Sequence, residues 1–303
     1  MPYPSVMEAC GAMPNDPVAP LSQPGYFWLI DRVGITVGRH GRFMHLTNDA
    51  IGQVLSLYGE WAEPETRLLT GLVRPGDTVI DVGAHIGTLT VPLAKAVGPT
   101  GHVLAVEPQI PLYQLLCANL ALNGLLNVRT QHVLMGAEPG FVTLPRFDYA
   151  QTSNYGAISF SEDAVEATPA TDRLALLTLD SLTDHLSACR LVKIDVEGME
   201  AKVIDGAAAL IGRTRPLVYA EVNTEVAFNA LAERAERHGY RMLWHCFHGF
   251  NPENAFGNPR NVYGDYGDAN VLMVPREMAI DLPLPEARGF AEVHDLYPGV
   301  LER

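Results

Sequence analysis

The 303-residue sequence is short of positive charge. Lys and Arg total 21 against 35 Asp and Glu, a formal net charge of −14. Such a chain has no electrostatic drive toward phosphate backbones or anionic lipid, so neither nucleic acid nor membrane is expected as a partner. Cysteine is scarce too. Cys10, Cys117, Cys189 and Cys246 form no C-x-x-C pair, which argues against a zinc knuckle, and they are too sparse for a disulfide framework. No apolar run approaches the ~18 residues of a membrane span. The first Lys or Arg is Arg32, so the basic start of a signal peptide is missing. A soluble cytoplasmic protein is expected. What the chain does have is 48% hydrophobic residues, enough for a sizeable core.

Residues 1–25 carry six prolines and no periodicity, and read as a loosely held arm. Residues 26–75 read as strand-like Phe27–Ile30, a small hairpin (Ile35–Val37 with Phe43–Leu46) and helices near 48–58 and 63–73. A domain over 76–280 follows. Apolar runs at 78–82, 102–106, 128–134, 191–194 and 217–222 read as buried strands. Helical stretches fall at 88–97, 112–122, 200–210 and 224–238, and 241–244 with 270–274 read as a closing antiparallel pair. Alternating β and α units imply an α/β fold, a mostly parallel sheet with helices on both faces. An insertion at 140–185 breaks the rhythm, a long loop spans 247–269, and 281–303 is left as a tail.

The most informative segment runs from Val79 to Thr88, V-I-D-V-G-A-H-I-G-T, between a buried strand and a helix. Glycines there let the chain turn tightly and a ligand approach the backbone. The dinucleotide fingerprint G-x-G-x-x-G is not met, because His85 stands two residues after Gly83. An NAD-linked oxidoreductase therefore fits poorly. D-x-G-x-x-x-G is closer to the S-adenosylmethionine (SAM) loop, with His85 in place of its middle glycine. Glu107 follows Gly87 by 20 residues, at the end of the second strand, where a carboxylate can accept hydrogen bonds from both ribose hydroxyls.

Further runs widen the match. They are Y-G-E-W-A-E-P-E over 58–65, A-V-E-P over 105–108, N-Y-G over 154–156 and T-L-D-S-L over 178–182. K-I-D-V-E-G-M-E over 193–200, N-P-E-N over 251–254 and N-V-L-M-V-P over 270–275 follow. With these the chain resembles FkbM-family methyltransferases, over roughly 58–275. The resemblance implies a Rossmann-like class I methyltransferase with a seven-stranded sheet. It also implies SAM as cofactor, S-adenosylhomocysteine as product, and O-methylation of a sugar or polyketide-type acceptor. A non-catalytic SAM or nucleotide-binding module is the alternative, against which Glu107, Asp195 and Glu197 argue. A homodimer is left open.

The expected cofactor shell is Glu60, Glu63, Asp81, Gly83, Ala84, His85, Gly87, Thr88, Glu107, Pro108, Met135 and Asp195. Methyl transfer from a sulfonium is an in-line displacement that needs alignment and removal of a hydroxyl proton. Catalytic groups are expected at the strand ends: Asp195, Glu197, Glu221 and, as a further base, His245. The arrangement is similar to catechol-type O-methyltransferases, in which Asp195, Glu221 and Asn223 would hold magnesium. In the metal-free expectation, which is preferred, Asp195 orients the SAM amino group and Glu197 caps the next helix. Asn154, Asn223, Asn251 and Asn254 are expected to bind the acceptor. Aromatics such as Phe247, Tyr263 and Tyr266 would form a sugar platform with Asn251 and Asn254, unless these asparagines only hold the loop through Asx turns.

Overall fold

The computed structural model describes residues 32–145, 149, 154–156 and 171–298. The N-terminal arm, the run Phe27–Ile30 and much of the expected insertion lie outside them. A hairpin, β1 (Val33–Val37) with β2 (Arg42–Leu46), leads into α1 (Ala50–Tyr58) and α2 (Glu63–Leu72). Then come β3 (Thr78–Val82), α3 (Thr90–Val97), β4 (His102–Val106), α4 (Ile110–Leu122) and β5 (Val128–Gln131). An interlude holds β6 (Leu134–Met135), β7 (Gly140–Pro145), β8 (Thr171–Leu177) and α5 (Leu179–Thr183). The alternation resumes with β9 (Leu191–Ile194), α6 (Glu200–Asp205), α7 (Ala208–Thr214), β10 (Leu217–Glu221) and α8 (Glu225–His238). It closes with β11 (Tyr240–His248), β12 (Gly267–Pro275) and α9 (Glu292–Leu296).

The main sheet has seven strands in the order β11-β12-β10-β9-β3-β4-β5. β10 through β5 are parallel, and β12 joins β10 antiparallel with β11 outside it. The mostly parallel α/β sheet is the one expected. Its strands are buried on both faces because alternate residues feed two cores. Ile80, Val82, Val192, Ile194 and Val218 pack with Val203, Leu210, Ile211, Phe228 and Leu231 of α6–α8. Val79, Leu191, Leu217 and Leu272 pack with Leu69 and Leu72 of α2 and Leu93 and Val97 of α3. The order of strand addition reverses at β3 and β9: β4 and β5 lie to one side of β3, β9 and β10 to the other. Ligands of open α/β sheets bind at such a switch point, beyond the carboxyl ends of the strands.

Several elements differ from expectation. The run 128–134 is not one strand. β5 leaves β4 after Gln131, and Leu134–Met135 turns to pair with Leu176–Leu177 in a separate three-stranded sheet, β6-β8-β7. The helix expected over 200–210 breaks at Gly206, where a Cβ would lie 2.0 Å from the Gly136 carbonyl oxygen. β11 is nine residues long and pairs with β12 throughout, so His245 and His248 are strand residues and the loop spans 249–266. Residues 281–298 pack against β11. Trp244 N donates to Pro285 O at 2.8 Å, and Val293 is fully buried.

Candidate active site

A cavity of about 240 Å³ opens at the switch point. Gly83, His85, Glu107, Pro108, Met135, Asn154, Asp195, Glu197 and Glu221 line it, all expected site residues. Trp61, Glu65, Phe247, Tyr263, Tyr266, Asp268 and Asn270 also line it.

The glycine loop is built by the main chain. Gly83 has φ +78°, and a Cβ there would sit 1.8 Å from the Asp195 carbonyl oxygen. The glycine is thus demanded first by the contact between β3 and the end of β9, before any ligand. Glu107 is buried and braces the loop. His85 N donates to Oε2 and Gln109 N to Oε1, each at 2.8 Å. Each oxygen keeps a further lone pair for a ligand. Burial lifts its carboxyl to about 7 against those two amide bonds.

Beneath the loop lies a buried cation. Lys193 Nζ donates to Gly83 O at 2.9 Å and lies 3.4 Å from Asp81 Oδ1 and 3.3 Å from Asp195 Oδ2. Thr90 Oγ1 donates to Asp81 Oδ2 at 2.6 Å. Asp81 is therefore not a wall residue, as expected of a cofactor contact, but a fully buried anchor under the wall. Ala84, Gly87 and Thr88 also lie off the cavity. A Cβ at Gly87 would lie 2.8 Å from Leu116 Cδ1, so its role is packing against α4.

Other expectations need larger corrections. Glu60 accepts from Arg39 Nε at 2.6 Å, Asn251 Nδ2 at 2.6 Å and Ala255 N at 2.9 Å, tying the β1–β2 hairpin to the long loop. Glu63 pairs with His40 at 2.6 Å and Arg67 at 2.9 Å. Burial pulls its carboxyl up, but these bonds outweigh it and leave it below the usual range. Neither acid faces the main cavity. Asn254 donates to Asn251 O and Asn258 O and accepts from Asn258 N. Asn251 and Asn254 thus hold the loop and Glu60, and neither lines the main cavity. Asn223 bonds the Glu221 carboxyl. His245 is buried behind the wall with Nδ1 2.8 Å from Tyr219 Oη, and burial drops it to about 4. Glu200, not Glu197, accepts from Val196 N and Gly198 N to close the turn before α6.

Asp195, Glu197 and Glu221 bring ligand oxygens within 4.8 Å of one another. Glu221 Oε2 is cut off from solvent and accepts no hydrogen bond. Burial, then the neighbouring carboxylates, push Glu221 well above the usual range. Oxygen donors so crowded, one of them unpartnered, suit a cation: an ammonium group or a hard divalent ion.

Glu65, Asp268 and Asn270 line the cavity without having been expected there. Helical spacing places Glu65 on the stripe of Leu69 and Leu72 that faces the sheet. Asp268 and Asn270 continue the face of Leu272 by strand alternation. Both signals were available in sequence. Burial holds Glu65 up at about 8.

Residues 81–250 match the family model described as the methyltransferase FkbM domain. The chain belongs to the FkbM methyltransferase family. Among solved structures, this FkbM protein is similar to a methyltransferase FkbM from Methylobacillus flagellatus KT, at 16% identity and TM-score 0.45, over 70% of this chain and 48% of that one. It is also similar to precorrin-6y C5,15-methyltransferase from Geobacter metallireducens GS-15, at 13% identity and TM-score 0.43, over 70% and 87%. A third likeness is M. jannaschii TYW2 in complex with AdoMet, at 16% identity and TM-score 0.42, over 80% and 84%. No curated protein matches significantly. The FkbM protein is a SAM-dependent methyltransferase, and no helix among the described residues is long and apolar enough to cross a membrane.

Proposed function

We propose that this enzyme is an O-methyltransferase that moves the SAM methyl group to a hydroxyl of a sugar or natural-product acceptor. The observation that carries the reading is the two-sided cavity. One side has the glycine loop, Glu107, Pro108 and Met135, suited to an adenosine. The other side has Phe247, Tyr263, Tyr266 and Asn270, where rings can cover C–H faces and amides bond hydroxyls. Asp195 lies between them. In the transfer the acceptor oxygen bonds the methyl carbon as the C–S bond breaks, its electron pair going to sulfur. The hydroxyl proton passes to a base.

The carboxylate trio favours a divalent ion over the metal-free expectation. Asp195, Glu197 and Glu221 would hold it, with Asn223 steadying Glu221. Such an ion supplies a Lewis acid that orients the acceptor oxygen and makes its hydroxyl more acidic. The test of the whole reading is conversion of SAM to S-adenosylhomocysteine across a panel of methyl glycosides with magnesium. At least one glycoside should be methylated on oxygen. SAM binding with transfer only to amine acceptors would refute the O-methyl assignment.

A further inference from the structure

His85 is 8% exposed and lines the cavity. Both its ring nitrogens are shut off from solvent, and neither has a hydrogen-bond partner. A buried polar atom left unpaired is costly, so the ring calls for a partner that the described residues do not supply. The residue also sits at φ +50°, a left-handed conformation that favours glycine. Strain of that kind persists where surrounding structure enforces it, often at working sites.

A carboxylate lies beside the ring. Asp49, at the N-cap of α1, brings Oδ2 to 3.8 Å from His85 Nε2. Its Oδ1 accepts from Tyr155 N at 3.1 Å, which fixes the carboxylate plane. The same ring edge faces Gly156, where a Cβ would lie 3.6 Å from Cδ2. A carboxylate on that edge favours the proton on Nε2 and leaves the Nδ1 lone pair unused.

Resting on the methyl-transfer reading above, we propose that His85 is the general base of the transfer and Asp49 its positioning residue. Three of the cavity acids already face charges or amides of the protein. Glu107 takes two backbone amides, Asp195 faces Lys193, and Glu221 is crowded by Asp195 and Glu197. The charges acting on the ring are Asp49 from α1, Asp195 beyond β9 and Lys193 within β9. Burial dominates them and lowers the imidazole below its ordinary value, so the ring is neutral and ready to accept at neutral pH. As the O–C bond forms and the C–S bond breaks, the hydroxyl proton moves to Nδ1. The imidazolium faces Asp49 until it yields the proton to water after product leaves.

The test uses His85→Gly, since glycine accepts the local φ without strain. Its SAM affinity should stay within about threefold of wild type. Its kcat, with the methyl glycoside turned over fastest by wild type, should fall by ~100-fold or more. Added imidazole should restore part of the rate. Asp49→Asn removes a carboxylate that raises the ring, so the acid limb of kcat should move to lower pH. A kcat within about threefold of wild type in His85→Gly, or lost SAM affinity with kcat intact, would overturn the proposal and leave a cofactor contact. If wild type methylates no glycoside, the acceptor reading has failed. Nitrogen NMR of His85 then decides the base alone. The Nε2–H tautomer titrating below 6.5 supports it, and the Nδ1–H tautomer overturns it.

Discussion

Two regions wall the cavity by opposite means. On the cofactor side the main chain makes the shape, and Glu107 fixes it through the amides of His85 and Gln109. On the facing side the loop 249–266 commits its polar groups to the scaffold. Tyr58 Oη donates to Arg260 O and accepts from Val262 N, Asn258 donates to Leu57 O, and Asn251 donates to Glu60. What that loop offers the cavity is Tyr263 and Tyr266, not its asparagines. Polarity in a long loop is here scaffolding, and its aromatic rings form the surface.

The largest effect that could break this contrast is expected at Glu107. Glu107→Ala loses two backbone braces as well as any ribose bonds, each worth roughly 1.5–3 kcal/mol when one partner is charged. SAM affinity should fall by about two orders of magnitude or more, and the melting temperature should drop with it. Calorimetric titration and thermal unfolding read both. Unchanged affinity would remove Glu107 from the cofactor side.

Next in size is the cation. Chelation should lower turnover at least about tenfold, reversibly with magnesium, while SAM affinity stays level. Turnover that ignores the chelator would assign the trio to the ammonium group of the cofactor.

Asn251→Ala with Asn254→Ala sharpens the other half of the contrast. The double variant should lose about 1–3 kcal/mol of stability, because buried partners such as Glu60 Oε1 are left unpaired. SAM affinity should change less than about threefold. An isolated fall in acceptor kcat/KM at unchanged melting temperature would return these residues to the acceptor.

The smallest effect concerns Glu65. Burial pushes its carboxyl up to about 8 from an ordinary 4.5. Between those values the folded chain keeps a proton that the unfolded chain has released, so stability falls as pH rises through that window. Glu65→Gln removes this slope and should melt higher than wild type at pH 8 but not at pH 5. Parallel melting curves at both values would show that Glu65 is not desolvated.

Much of the fold was legible because β3, β4, β9 and β10 are short apolar runs ending at Gly83, Glu107, Asp195 and Glu221. β6 was not, since Val128–Leu134 reads as continuous and only tertiary pairing with β8 divides it. The cofactor wall was legible because a backbone turn leaves a glycine signature. Asp81 misled because its residue type fits a ligand contact, while strand alternation turns it toward Lys193. The asparagines of 251–258 stayed ambiguous in sequence because an Asx turn and a sugar contact use the same residue type. His245 is the clearest loss. Reading β11 to its true end would have placed it beside Tyr219 on an inward face.

The most direct test of the central claim is the crystal structure of the protein with S-adenosylhomocysteine. The ribose hydroxyls should lie on Glu107, the amino-acid end beside Asp195, and the sulfur should face the space between His85 and Tyr263. Ligand bound away from the β3–β9 switch point, or ribose out of reach of Glu107, would contradict it.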